Sequence, residues 1–227
     1  MNVLQRYLFA ALFFLGLAFF ISCNERENPT ASEGSPTDAD NLSLQKSGMK
    51  ILFSDDFEDG DSQGWELWGD GWTIEAEEGN SVLSSSTGSQ FAHARLQHPG
   101  WNDFRFESRV KFIGGNTYCE LLFRIDNQGQ HYWLQVTDTR VALAKEGATG
   151  AFEWLASAPM NVLQNVWYDF DIASRDNKIE VKVNATPKIL VKDDNPWGNR
   201  GTIGFEVHEN TQVYFDDVVV TRLGGID

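Results

Sequence analysis

FRFESRVKF (residues 104–112), TYCELLFRI (117–125) and HYWLQVT (131–137) decide the fold of this 227-residue chain. In the first, Phe104, Phe106, Ser108, Val110 and Phe112 alternate with Arg105, Glu107, Arg109 and Lys111. In the second, Cys119, Leu121, Phe123 and Ile125 alternate with Tyr118, Glu120, Leu122 and Arg124. Tyr132, Leu134 and Val136 do the same against His131, Trp133 and Gln135 in the third. A period of two sends successive side chains to opposite faces, so each segment predicts a strand with one buried face. The turn Asp126-Asn127-Gln128-Gly129 joins the last two segments closely enough to predict a hairpin.

The pattern extends outward in both directions. Tyr168, Phe170 and Ile172, then Ile179, Val181 and Val183, then Ile203, Phe205 and Val207 form further inward sets. Gly, Asn and Asp separate about fourteen such segments. Helical periodicity is not sustained anywhere, and its best stretch, Leu155 to Val166, is broken by Pro159. The expectation is an all-β fold: a two-sheet antiparallel β-sandwich of the jelly-roll kind.

Charge narrows the function. Against 33 acidic residues stand 18 Lys and Arg, a formal net charge of −15, which excludes nucleic acid and a basic lipid-binding face as expected partners. The motifs of nucleotide binding and nucleophilic triads are absent, and His93, His98, His131 and His208 lack zinc-site spacing. The outward residues Arg109, Tyr118, Glu120, Arg124, Trp133 and Gln135 mix aromatic rings with hydrogen-bonding groups. That is what a pyranose needs, since it offers an apolar face ringed by hydroxyls. Trp133 is the residue expected to be exposed and to stack on the sugar.

The N-terminus reads differently. Arg6 precedes an uncharged run from Tyr7 to Ile21, too short for a membrane span, which ends in Ser22-Cys23. This resembles the processing site of bacterial lipoproteins and implies a signal peptide at 1–22 and lipidation of Cys23. Residues 23–48 are Ser-, Thr-, Pro- and acid-rich and predict a flexible tether, with the folded domain at 49–224. The chain is then expected in the bacterial cell envelope, touching the membrane only through its lipid anchor.

The stretches FSDDFEDGDSQGWELW (53–68), HYWLQV (131–136), VWYDFDIASRDNKIEVKVN (166–184) and GTIGFEVHENTQVYFDDVVVTRL (201–223) resemble the concanavalin-A-like lectin and glucanase superfamily, including its laminin-G-like domains. The resemblance spans about residues 51 to 223. It implies glycan binding and a structural calcium held by Glu58, the Gly79 carbonyl, Asn80 and Asp217. The superfamily's catalytic Glu-x-Asp-x-x-Glu pattern is missing. A retaining glycosidase needs carboxyl groups about 5 Å apart. On one strand only Asp169 and Asp171 form an outward pair, and they read as solvated. Carboxylates could still meet across strands. Non-catalytic glycan binding is the leading expectation, with a glycosidase-like enzyme or an adhesion module as alternatives.

Overall fold

A computed structural model describes residues 49–88, 91–198 and 200–224. The signal segment, Cys23 and the tether lie outside the described residues. Sixteen strands run in chain order. They are β1 (Ile51–Asp55), β2 (Trp65–Trp68), β3 (Trp72–Glu77), β4 (Asn80–Thr87), β5 (Phe91–Leu96), β6 (Trp101–Asn102), β7 (Phe104–Gly115) and β8 (Tyr118–Ile125). Then come β9 (His131–Thr137), β10 (Arg140–Glu146), β11 (Phe152–Pro159), β12 (Trp167–Arg175), β13 (Lys178–Val183), β14 (Thr186–Lys192), β15 (Arg200–His208) and β16 (Thr211–Arg222).

Two eight-stranded antiparallel sheets form the sandwich, a jelly roll of the concanavalin-A-like kind. One runs β14-β13-β12-β7-β16-β4-β3, with β1 also paired to β16; the other runs β11-β10-β9-β8-β15-β5-β2, with β6 also paired to β15. The short strands β2 and β6 were not anticipated from the sequence, because neither alternates long enough to be read.

The core takes its side chains from both inner faces, and aromatic rings carry its centre. Phe205 of β15 stacks on Phe215 of β16 at 4.1 Å between centroids and lies 5.5 Å from Trp65. Cys119, Leu121 and Phe123 on β8 and Tyr132, Leu134 and Val136 on β9 all point inward, as their alternation predicts. Cys119 is a fully buried free thiol.

Two expected outward residues are corrected by the backbone. Arg124 does not face outward; its side chain is 2% exposed and turns towards the end of the sandwich. There its guanidinium donates to the Asp176 carbonyl at 2.8 Å and meets Asp103. The cause is a bulge: β15 offers Thr202 and Ile203 against the three residues from Phe123 to Ile125 of β8, and Arg124 has φ of 53°. An extra residue in one strand reverses the alternation beyond it, so Ile125 joins the outer side with Leu122. Gly201 permits this close approach, since a Cβ there would lie 2.2 Å from the Arg124 carbonyl carbon.

Arg109 is outward but on the wrong sheet. Its strand, β7, pairs with β12 and β16, whereas Tyr118, Glu120 and Gln135 belong to the other layer. The chain crosses between layers after Gly115, so sequence neighbours β7 and β8 are not sheet neighbours. Arg109 instead stacks over Trp167 at 4.6 Å and pairs with Asp217 at 3.1 Å.

One end of the sandwich is fastened by a buried ion pair. Lys145 Nζ donates to both oxygens of Asp193 at 2.9 Å and to the Asn195 carbonyl. Tyr132 Oη donates to the same carboxylate and accepts from the Trp197 amide. Removing one partner strands a buried charge. Lys145→Met is therefore expected to cost about 3–5 kcal/mol of stability. Urea unfolding of the variant checks this; a loss within the error of the midpoint would show that the pair does not hold the loop.

Candidate functional site

The outer face of the sheet containing β8 and β15 collects most of the molecule's outward histidines, together with the buried carboxylate of Glu120 and the half-buried one of Glu206. Pairing sets this up residue by residue. Glu206 on β15 stands opposite Glu120 on β8 and opposite His93 on β5. Glu120 in turn stands opposite Gln135 on β9, and His93 opposite Trp68 on β2. One row across the strands thus reads Trp68, His93, Glu206, Glu120, Gln135.

His208, two residues along from Glu206, closes a cluster over this row. Its Nε2 lies 3.2 Å from Glu206 Oε1 and 3.4 Å from Glu120 Oε1. His93 Nε2 approaches the other Glu206 oxygen at 3.4 Å. Neither imidazole nitrogen makes a hydrogen bond of proper geometry, and both atoms are buried. Tyr118 stacks flat on His208 at 3.7 Å and accepts a hydrogen bond from Gln135.

Burial and neighbouring charge divide these groups into unlike protonation states. Burial works against the His208 cation, yet the two carboxylates more than compensate and raise its pKa to about 9. For Glu206 the same histidine, with His93, outweighs burial and holds the carboxyl below its ordinary value. Burial dominates at Glu120 and pushes it up. It also dominates at His93 and pushes it down, which favours a neutral ring. An imidazolium, an ionised carboxylate, a reluctant carboxyl and a neutral imidazole thus sit within a few ångströms. Environments that drive titratable neighbours apart are how acid and base roles are separated.

The same atoms suit a cation. One donor from each of Glu120, Glu206 and His208 falls within 4.8 Å of the others, so the cluster can hold a metal ion. A ligating imidazole must present a lone pair, so His208 would join such a site only on releasing its proton to the incoming cation. The segments carrying the four residues expected to bind calcium come together elsewhere in the molecule. Glu58 accepts from the Ser81 amide, and Asn80 donates to Asp216 at 2.6 Å, not to Asp217. Asp217, at φ of 48° in a bulge of β16, is held by Arg109. Gly79 forms the turn between β3 and β4 at φ of 91°.

Of the sequence-chosen sugar ligands, Tyr118, Glu120 and Gln135 come together on this face. Trp133 is on the same side but is not exposed, which corrects the expectation made for it. It keeps 5% of its surface because Trp154 and Phe152 of β11 cover it, at 4.9 and 6.1 Å between centroids. It forms a small second core with Leu122, Ile125 and Ala144. His93, Glu206, His208, Phe91 and Trp154 were missed as site residues. The alternation Glu206-Val207-His208 was the available signal, but only strand pairing shows that it meets Glu120.

Flanking the polar row, Trp68 and Phe91 stack at 5.6 Å with His93 edge-on to both. These rings, with Glu66 and Arg95, line a pocket beside Glu206. Both rings are substantially exposed.

With that geometry in hand, similarity to known proteins becomes informative. A family model described as a 3-keto-alpha-glucoside-1,2-lyase-like domain matches residues 27–221. The chain belongs to this family. No curated protein matches it in sequence. Among solved structures it is similar to the carbohydrate-binding module CBM66 from Bacillus subtilis, at 18% identity and TM-score 0.57, covering 68% of this chain and 93% of that one. A protein of unknown function with a galectin-like fold from Bacillus subtilis aligns at 14% identity and TM-score 0.64, over 77% and 98%. The Crh5 transglycosylase aligns at 8% and 0.57, over 76% and 84%. At such identities these likenesses establish the fold alone.

The high pKa of His208 has a measurable sign. A histidine raised in the folded state contributes stability that is complete below the unfolded value near 6.5. That contribution is lost as pH rises through about 9. In chelator-treated protein, NMR titration is expected to show the His208 ring protonated at pH 7.5. Stability should fall between pH 7 and 9.5, and less so in His208→Asn. A ring that titrates near 6.5 would break the assignment.

Proposed function

We propose that this domain is an enzyme that cleaves a 3-keto-α-glucoside by elimination, at the Glu120–Glu206–His208–His93 cluster. The observation that carries the reading is the carboxylate pair on adjacent strands, shared between a charged and a neutral histidine, in a chain of the lyase-like family. Non-catalytic binding, the first expectation from sequence, needs no such cluster. A sugar-binding face gains little from one buried and one half-buried carboxylate.

The chemistry follows from the ketone. A carbonyl at C3 acidifies the proton on C2. Removing that proton leaves its electron pair to form the C1=C2 bond as the C1–O bond breaks, and the departing oxygen takes a proton from solvent water. His93, neutral and supported at Nε2 by Glu206, is the base; the remaining ring nitrogen accepts the proton. Trp68 and Phe91 form a wall against which the sugar ring lies beside that base. A divalent cation held by Glu120, Glu206 and His208 would supply electrophilic stabilisation of the developing enolate oxygen. An imidazole with two carboxylates suits a transition ion better than calcium. The cation proposed at this cluster is therefore a transition ion, separate from the calcium expected at Glu58, Gly79, Asn80 and Asp217. In the metal-free protein the His208 proton holds the same space.

The test uses a 3-keto-α-glucoside carrying 4-nitrophenol, with and without manganese or zinc. Wild-type protein is expected to release nitrophenol and to form an ultraviolet-absorbing enone, while Glu206→Gln and His93→Ala slow turnover by about 10²–10⁴-fold. Absence of both products under every metal condition would return the domain to a binding role.

We further propose that the domain is carried on a lipid anchor at Cys23, exported to the bacterial cell envelope behind a tether of residues 23–48. Support comes from the uncharged run and Ser22-Cys23. Intact mass after expression in a bacterial host is expected to show an acylated chain beginning at Cys23; an unacylated chain would refute it.

A further inference from the structure

A second aromatic platform lies on the same face, at the far edge of the sheet. Trp154 and Phe152 on β11 are 47% and 55% exposed, with ring centroids 5.8 Å apart. The Arg140 guanidinium lies 5.6 Å above the Trp154 ring. A shallow pocket opens here between Arg140, Ala142, Trp154 and Ser157. It has the composition of a sugar seat: an exposed indole, a cation and a hydroxyl at its rim, and small residues as floor.

Contacts join this platform to the reactive cluster without a break. Arg140 donates to Gln135 Oε1 at 3.2 Å, Gln135 donates to Tyr118, and Tyr118 stacks on His208. Between them β10 presents the small side chains Ala142 and Ala144 on this side, opposite Gln135 and Trp133 of β9. The platform on β11 lies five strands from His93 on β5, beside which the reacting ring sits, a span of about 24 Å. A pyranose advances a glycan by about one strand spacing. A disaccharide reacting at His93 therefore cannot touch Trp154, whereas a chain of about six rings can.

We propose that Trp154, with Phe152 and Arg140, is a distal sugar subsite, and that the ligand of this face is an oligosaccharide of about six or more rings lying across the strands. The assignment rests on the glucoside reading of the cluster, since that reading fixes where the reacting ring sits. Trp154 is a specificity residue in this scheme and takes no part in bond cleavage.

The experiment is calorimetric titration of the full domain with unmodified α-linked gluco-oligosaccharides of two to eight units. Wild type is expected to show an affinity step of ~10-fold as the chain reaches about six rings. Trp154→Ala should lose that step, and Trp154→Phe, which keeps a flat ring and the cover over Trp133, should retain most of it. Arg140→Ala serves as a second variant if Trp154→Ala fails to fold, and should weaken only the longer ligands. No dependence on length, or a step that survives both Trp154→Ala and Arg140→Ala, would overturn the subsite. So would conversion of a dimer to a monomer by Trp154→Ala with sugar affinity unaltered, because the platform would then be a contact between copies. A length step without any turnover of the keto substrate would sink the lyase reading and leave the subsite standing.

Discussion

The register between β8 and β15 is the constraint on which both core and site depend. Because side chains alternate, one pairing decides two things at once. It sends Leu121 and Phe205 inward together, and it sets Glu120 opposite Glu206 outward. A slip of one residue would bury a carboxylate in the aromatic core, so the hydrophobic interior enforces the alignment that the polar cluster needs. Two acids that would otherwise repel are held at close range by the burial of about a dozen aromatic and aliphatic side chains behind them.

The division of charge around Glu206 follows from the same alignment. Its two oxygens face different histidines, one from its own strand and one from the neighbour. His208 is shared by both carboxylates and stays charged, whereas His93 sees only one and yields to burial. The asymmetry needs no special residue. It comes from which strand each imidazole stands on.

Much of the fold was legible because strand alternation is a local signal. The inward sets on β7, β9, β12 and β13 all stand as read, and so does the β8–β9 hairpin. What escaped was long-range or irregular. The Arg124 bulge reverses a strand without changing its composition. The crossing after Gly115 puts Arg109 on the opposite side of the molecule from Tyr118. Trp133 was assigned the correct side but the wrong exposure, because its cover comes from β11, some twenty residues later. Glu206 and His208 looked like ordinary surface residues until pairing with β5 and β8 gave them partners. The acid–base cluster is a property of three strands, and no one of them carries its pattern.

Lys145 links matters that seem separate. Its ammonium is buried against Asp193, yet it also approaches Glu153, which stands between Phe152 and Trp154 on the outermost strand. Edge strands are normally the first part of a sheet to fray, and an aromatic surface on one would flicker with it. Here the loop from Asp193 to Trp197, on the opposite side of the strand, holds that edge from behind. The rigidity with which the exposed rings meet solvent is thus set by residues that never touch it, and a change in that loop would be felt as looseness in the aromatic surface before any loss of overall fold.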